Sequence, residues 1–411
     1  MNTFSKEFLY AIKEAGGVNQ IVHSTQDAWF LLANGDLYGC GSNTFGQQGN
    51  GSTSNVTTFT KRASNVSKVV CSDRTIWYID NNGDLYGCGD GGDGQQGSGS
   101  RSNVTTFTKR ASNVSKVVCS SRTTWYIDNN GDLYGCGFNY YGQQGVGNTT
   151  DSYITTFTKR ASNVKDIACS SETTWYITND GDLYGCGEGG RQGSNDSSQV
   201  NSFTKRASNV KQVTCTEMIT LYVNNNNYLY GTGSGNYLGI NNSSWVYSFN
   251  YIAANVAYIT CSYGSYATTW YITESGDLYG CGSQQYGQQG NGVSSGNNLL
   301  TFVKRASNVS QVFCSTNTTW YIDTNKDLYG CGQGTYGQQG SGLTSNVTTF
   351  TKRASNVEAI NSNRNTDSTG AITYYISSNG DLYGCGYGVA QGNGSTSDVL
   401  TFENKMQYLT A

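Results

Sequence analysis

The chain has 411 residues and a net charge of −3, and it contains 53 glycines, 31 tyrosines and no proline. A general nucleic-acid binder usually shows a strongly basic domain, so the charge argues against that class of protein. No run of 18 apolar residues is present, which argues against membrane insertion through a helix.

The first 16 residues predict a short amphipathic helix. Phe4, Phe8, Leu9 and Ile12 fall on one helical face, and Gly16 follows as a stop signal. Two interpretations stay open: the helix packs across one end of the remaining chain, or it anchors the protein to a larger assembly such as a viral particle. The segment lacks the apolar core of a signal peptide, so the expected location is a virion or the cytoplasm of the producing cell.

From residue 17 onward the sequence repeats. The motif Gly-Asp-Leu-Tyr-Gly-Cys-Gly recurs at spacings of 46 to 54 residues, and copy five is degraded. The central leucines of the eight copies are Leu37, Leu85, Leu133, Leu183, Leu229, Leu278, Leu328 and Leu382.

Each copy contains four strand-like pieces, which copy three shows clearly. They are residues 114–119, 123–128, 132–136 and 154–160, with a tight Asn-Asn-Gly turn between the second and third pieces. Four short strands in a radial repeat are typical of propeller blades. We therefore predict an all-β fold, a β-propeller of about eight four-stranded blades with a short N-terminal helix, and keep seven blades as the alternative.

The predicted domains are a helical leader, 1–16, and a propeller, 17–411. Its repeats are expected at about 17–66, 66–114, 114–164, 164–210, 210–256, 256–309, 309–357 and 357–411.

These motifs resemble the regulator of chromosome condensation repeat. The likeness rests on the Asn-Gly-Asp-Leu-Tyr-Gly-Cys-Gly segment and on a Gly-Gln-Gln-Gly loop, seen for example at Gly46 to Gly49; copies four, five and eight depart from the loop. The resemblance implies a propeller fold. Members of the family include a GTPase exchange factor, an ultraviolet receptor, an inhibitor of β-lactamases and domains of bacterial or viral surface proteins. Such propellers usually have seven blades, so an eighth copy is a departure.

Most recurring residues are interpreted as scaffold. The 13 cysteines form two positional classes without a Cys-x-x-Cys pair, which favours packing over metal or redox chemistry. A tryptophan row, replaced by Leu221 and Tyr375 in copies five and eight, is expected in the core. A recurring Lys-Arg pair is expected to place its arginine against the aspartate of the Gly-Asp turn. The alternative is a charged ring that holds an anion.

No catalytic constellation is recognisable. The chain has one histidine, no phosphate-binding Gly-rich loop and no nucleophile elbow. We therefore predict no catalytic residues, no metal, no cofactor and no enzymatic activity.

Residues that break the repeat are the candidate partner contacts. Copy five contributes Tyr237, Leu238, Trp245 and Tyr247, and its Lys-Arg pair is expected to be replaced by Ala253-Ala254. An insertion in copy eight contributes Asn363 and Asp367, and the leader contributes the four apolar residues named above.

The predicted function is non-enzymatic recognition of a protein partner or cell-surface ligand, as in a phage tail or fibre-associated host-recognition protein. The alternatives are a regulator resembling the exchange factor and a protein inhibitor of an enzyme.

Overall fold

The computed structural model describes residues 17–24, 26–363 and 370–409, and these form eight four-stranded antiparallel sheets. Each sheet consists of four consecutive strands, so each is one blade. The eight-bladed propeller predicted from the repeats is confirmed. The predicted leader helix, 1–16, lies outside the described residues.

The strands of blades one and two are β1 (Val18–His23), β2 (Asp27–Leu32), β3 (Leu37–Gly41), β4 (Val56–Ala63), β5 (Val66–Cys71), β6 (Thr75–Asp80), β7 (Leu85–Gly89) and β8 (Val104–Ala111). Those of blades three and four are β9 (Val114–Cys119), β10 (Thr123–Asp128), β11 (Leu133–Phe138), β12 (Tyr153–Ala161), β13 (Val164–Cys169), β14 (Thr173–Thr178), β15 (Leu183–Gly187) and β16 (Val200–Ala207).

The strands of blades five and six are β17 (Val210–Cys215), β18 (Ile219–Asn224), β19 (Leu229–Ser234), β20 (Trp245–Ala253), β21 (Val256–Cys261), β22 (Thr268–Thr273), β23 (Leu278–Gly282) and β24 (Leu299–Ala306). Those of blades seven and eight are β25 (Val309–Cys314), β26 (Thr318–Asp323), β27 (Leu328–Gly332), β28 (Val347–Ala354), β29 (Val357–Ser362), β30 (Ile372–Ser377), β31 (Leu382–Gly386) and β32 (Val399–Asn404), followed by the short helix α1 (Met406–Leu409). Three 3-10 turns lie at Gly189–Arg191, Gly235–Tyr237 and Gly388–Ala390.

In six blades the glycine of the Tyr-Gly-Cys motif makes room for the tryptophan of the neighbouring strand. In blade two, Trp77 lies opposite Gly87, and a Cβ on that glycine would stand 2.3 Å from the Trp77 ring. The six repeat tryptophans are completely buried. They are Trp29, Trp77, Trp125, Trp175, Trp270 and Trp320, and the core role predicted for them is confirmed.

Packing between blades repeats from one blade to the next. The Trp77 ring meets Phe157 of the third blade edge to face, with ring centroids 5.9 Å apart. Tyr126 packs on the same phenylalanine at 5.0 Å. The hydrophobic core is therefore a series of inter-blade layers, each built from residues of two adjacent blades.

The ring closes between blades eight and one without exchange of a strand. The Val18 N–H donates to the Gly380 carbonyl at 2.9 Å, and the Asn361 side-chain amide donates to the Ile21 carbonyl at 3.0 Å. Phe30 of blade one packs edge to face on Tyr374 of blade eight, with centroids 4.9 Å apart.

Two sequence alignments need correction. Tyr374, rather than Tyr375, takes the tryptophan position of blade eight, because it pairs with Gly384 as Trp320 pairs with Gly330. The Lys-Arg pair of blade five is replaced by Tyr251-Ile252 rather than by Ala253-Ala254. Tyr230 pairs with Tyr251 in the register in which Tyr38 pairs with Lys61.

Candidate functional site

The two ends of the propeller carry different kinds of loop. Because each blade is an antiparallel meander, the loops after its first and third strands lie at one end, and the second-to-third turn and the link to the next blade lie at the other. We call the first end the variable face; in blade two it comprises 72–74 and 90–103. We call the second end the turn face; in blade two it comprises 81–84 and 112–113.

The turn face repeats one ion pair in six blades. The distance from the lysine Nζ to a carboxylate oxygen of the aspartate ranges from 2.6 to 2.8 Å. The pairs are Lys61–Asp36, Lys109–Asp84, Lys159–Asp132, Lys205–Asp182, Lys304–Asp277 and Lys352–Asp327. The hydrogen bond from Lys109 lowers the pKa of Asp84. Exposed pairs of this kind contribute little stability, so they define the end of each blade rather than a binding site.

The predicted pairing of arginine with the turn aspartate is therefore wrong, because lysine occupies that place. Arg62 occupies the strand bulge between Lys61 and Ala63, and its charge lies near the thiols of Cys40 and Cys88 instead of at the turn. Neighbouring residues of a strand point to opposite sides, so only one residue of each Lys-Arg pair reaches the aspartate.

Both classes of cysteine pack between blades. The Cys88 thiol of blade two donates to the Gln47 carbonyl of blade one at 3.4 Å, and Cys136 makes the same contact with Gln95. Four of the cysteines that end the first strands line a cavity at the variable face, and burial raises the pKa of two of these, Cys261 and Cys314, to about 12. All 13 are free, and no group of metal-ligating side chains occurs among the described residues.

The Gly-Gln-Gln-Gly loop is also scaffold. Gln48 is completely buried and donates to the Cys40 carbonyl of its own blade at 3.0 Å. Blade four keeps this contact from Gln192 to Cys186, although its loop is two residues shorter: the separation is six positions instead of eight. The loops of copies four, five and eight depart from the motif because each winds into a 3-10 turn.

The cavity at the variable face has a volume of about 330 Å³. It is lined by inner-strand cysteines such as Cys71 and Cys119, by several serines and by His23, which takes a cysteine position. Burial lowers the pKa of His23 to about 4 and raises the pKa of the nearby Asp27 to about 7. These two groups distinguish blade one from the other blades.

The first non-repeating cluster of the variable face spans blades two and three. Arg122 makes a bidentate pair with Asp93, at 2.8 and 3.1 Å, while its guanidinium carbon lies 3.3 Å from the centre of the Phe138 ring. Arg101 stacks on Tyr153 at 3.7 Å. Tyr140 stands beside them with 59% of its surface exposed.

The second cluster lies between blades four and five. Arg191 is almost fully buried and forms ion pairs with Glu172 and Glu188. Its guanidinium faces the ring of Trp245 at 5.9 Å. Trp245 and Tyr247 are exposed by 41% and 37%.

The predicted contact residues differ in their exposure to solvent. Trp245 and Tyr247 lie exposed at the rim, as the prediction requires of contacts, whereas Tyr237 and Leu238 are buried and the Tyr237 hydroxyl donates to the Ser265 carbonyl at 2.9 Å. Asn363 is buried as well, and it closes its loop by accepting from the Ile372 N–H at 2.8 Å. Asp367, Phe4, Phe8, Leu9 and Ile12 lie outside the described residues.

Sequence reasoning missed the cluster of blades two and three. Its members are Asp93, Arg101, Arg122, Phe138, Tyr140 and Tyr153. The available signal was that most of these side chains differ from those at the same loop position in the other copies.

Comparison with known proteins supports the repeat and the fold. Residues 130–177 match the family model described as the Regulator of chromosome condensation (RCC1) repeat. No curated protein sequence matches the chain. No helix of the described residues has the length and apolar character needed to span a membrane.

Solved structures with a similar fold include three propellers. Human WBSCR16 is 17% identical with a TM-score of 0.58, and the match covers 75% of this chain and 87% of that one. Prp20p from Saccharomyces cerevisiae is 14% identical with a TM-score of 0.61, covering 80% and 89%. Yeast RCC1 (Prp20) bound to Kap60 is 12% identical with a TM-score of 0.62, covering 92% and 94%. At these identities the likeness concerns the fold alone.

Proposed function

We propose that this chain, a β-propeller of which residues 130–177 match the RCC1 repeat, is a non-enzymatic recognition protein that binds its partner with the variable face. One observation carries the proposal: the turn face repeats the same ion pair in six blades, whereas the variable face holds exposed side chains that occur once. Loops on a rigid scaffold commonly carry binding residues.

The chemistry of the variable face suits a protein partner or a cell-surface ligand. Tryptophan, tyrosine and arginine dominate the binding energy of protein interfaces. Arg101 and Arg122 already lie over the rings of Tyr153 and Phe138, so less side-chain freedom is lost when a partner binds. Tyr140 and Trp245 add exposed rings to this face.

The finer proposal is a surface-recognition component of a phage or bacterial structure, such as a tail or fibre-associated host-recognition protein. Its support is compositional: the copies are nearly identical, charged residues are only 13% of the chain, and tyrosine and glycine are abundant. Immunogold labelling of purified particles tests it, with label on the particle as the expected result. Protein found only free in the producing cell contradicts this finer proposal.

A regulator is the second candidate. Prp20p, which shares the fold, was described together with its binding to Gsp1p and histones. If this chain acts on a GTPase, it should accelerate nucleotide release in a fluorescence assay. The first proposal expects no acceleration.

Binding to intact host cells tests the site itself. Fluorescent wild-type protein is compared with an R101S/Y140S variant of the variable face and with a D84S/K109S variant of the turn face. We expect the first variant to lose about tenfold or more of its binding and the second to bind as wild type. Equal losses in both variants contradict the assignment, and parallel protease and periodate treatment of the cells separates a protein ligand from a glycan.

A further inference from the structure

The outer strand of blade five differs from every other outer strand in charge. β20 contains no charged residue, whereas each of the other outer strands carries lysine and arginine or, in β32, Glu403. Charged residues, and lysine above all, are what natural proteins place on exposed strand edges to prevent pairing with another chain. β20 is the outer strand that lacks this protection.

In blade five, tyrosines replace both members of the turn-face ion pair that six other blades contain. Tyr251 takes the lysine position and Tyr228 takes the aspartate position, and the two rings meet edge to face with centroids 5.9 Å apart. Tyr230 lies on the other side of Tyr251 at 6.0 Å. Tyr228 and Tyr251 remain 40% and 56% exposed, so the contact between them leaves much of both rings in water.

The backbone edge of β20 is open over its second half. β20 stands at the end of its sheet. The loop of blade four covers its first part, because the Asn195 N–H donates to the Tyr247 carbonyl at 2.9 Å. No backbone hydrogen bond from another blade reaches residues 248–253 among those between described residues. The uncovered stretch reads Ser-Phe-Asn-Tyr-Ile-Ala, in which Phe249, Tyr251 and Ile252 are residue types enriched in strands.

We propose that β20 pairs antiparallel with β20 of a second copy of this chain, forming a two-fold dimer. A neutral strand brings no like charges together when it pairs with itself, and two-fold pairing centred on Tyr251 sets the two Tyr251 side chains across from one another, which is a favourable aromatic cross-strand pair. Pairing with an outer strand that carries the Lys-Arg pair instead brings its turn-face lysine against the uncharged tyrosine patch and away from water. The dimer is therefore favoured over mixed contacts.

Because β20 is the one outer strand of the described residues without a charged residue, the assembly is limited to two copies. A two-fold contact uses the same patch on both subunits and closes on itself, whereas open filaments need two different patches. This inference does not depend on the function proposed above, because the second half of β20 and Tyr228 lie toward the turn face. A dimer of this kind leaves both variable faces free.

Sedimentation velocity and light scattering on the full chain test the proposal. Wild-type protein should show twice the monomer mass at about 100 μM and dissociate on dilution. A Y228D/Y251K variant gives blade five the ion pair that six other blades already use, so it is designed to fold, and it should be monomeric at the same concentration. Circular dichroism and the thermal midpoint check that the variant keeps the fold.

A Y140S variant serves as the matched control, because it removes an exposed tyrosine of the variable face and should remain dimeric. Three results overturn the proposal: a monomeric wild type at 100 μM, a folded Y228D/Y251K variant that stays dimeric, or a wild type that forms polymers larger than two copies. Loss of cell binding by R101S/Y140S with an intact dimer separates the two proposals from each other.

Discussion

Blade two and blade five have the same four strands in the same register, yet they fill their interiors with different side chains. In blade two the Trp77 ring occupies the space over Gly87, at 2.3 Å from a Cβ built there. In blade five three aliphatic side chains share the corresponding space over Gly231: Leu221, Leu238 and Ile252, at 2.7 to 2.8 Å. The blade therefore tolerates exchange of its core when several residues change together.

This comparison teaches that positions in one blade are coupled through volume. Leu221 takes the place of tryptophan, Leu238 that of a loop glutamine and Ile252 that of an arginine. Interiors of proteins are close-packed, so a lone exchange leaves a cavity that only its neighbours can fill. The same coupling holds at the surface, where tyrosines replace both members of the Lys–Asp pair.

The largest effect is expected from emptying the blade-two core. Trp77→Ala should lower the free energy of unfolding by about 3–5 kcal/mol, because the ring is fully buried and no neighbour can close the space. Leu221→Ala in blade five should cost less, about 2–3 kcal/mol, since less volume is removed. Urea denaturation measures both. A smaller loss for Trp77→Ala than for Leu221→Ala contradicts the packing described for the two blades.

Transplanting the blade-five core residues into blade two tests whether these three positions are coupled in their effect on stability. Trp77→Leu alone should destabilise the protein, and adding Gln96→Leu and Arg110→Ile should recover about half of that loss. The denaturant midpoints of the single, double and triple variants form the test. Strict additivity of the three changes shows that the residues are not coupled through a shared volume.

The pH dependence of stability should distinguish blade one from the other blades, because blade one buries Asp27. The folded-state pKa of Asp27 is about 7, above its ordinary value of 3.8, so the folded state binds more protons between these values and stability falls as pH rises across that window. In five other blades the position holds threonine, and in blade two Ser72 and Thr75 share a hydrogen bond of 2.8 Å. Asp27→Thr should therefore raise stability at pH 8, by on the order of 2 kcal/mol, and leave it unchanged at pH 4.

The pKa of His23 is shifted in the opposite direction, so it has the opposite effect on the pH dependence of stability. Its folded-state pKa is about 4, below its ordinary value of 6.5, so the folded state binds fewer protons in that interval and stability increases as pH rises through it. His23→Cys restores the residue of six other blades and should flatten this part of the pH profile. Thermal midpoints measured from pH 4 to 8 test both substitutions, and an unchanged profile in either variant contradicts the burial that causes the shift.

The smallest effect is expected at the turn face of blade two. Lys109→Ala removes an exposed ion pair with Asp84, and we expect no measurable change in the thermal midpoint. Salt titration of the wild type provides the control, since screening should also leave the midpoint in place. A clear loss on substitution shows that the ring of pairs stabilises the propeller.

Much of the scaffold could be predicted from the sequence. The strict recurrence of Leu85 and its equivalents predicted eight blades, and the tryptophan row predicted their core. The candidate contacts stay predictions: Trp245 and Tyr247 are exposed, whereas Tyr237, Leu238 and Asn363 are buried. A break in the repeat shows that a position differs; it does not show on which side of the blade the new residue points.

The sequence by itself determined the strands, the turns and the order of the blades, because alternation and turn chemistry act over a few neighbouring residues. Only the tertiary structure decided that lysine rather than arginine meets the turn aspartate in six blades, since a bulge sets which residue faces the turn. It also decided that Arg101 meets Tyr153, which is contributed by the next blade. Contacts between blades depend on the closure of the whole ring, and no local pattern encodes that closure.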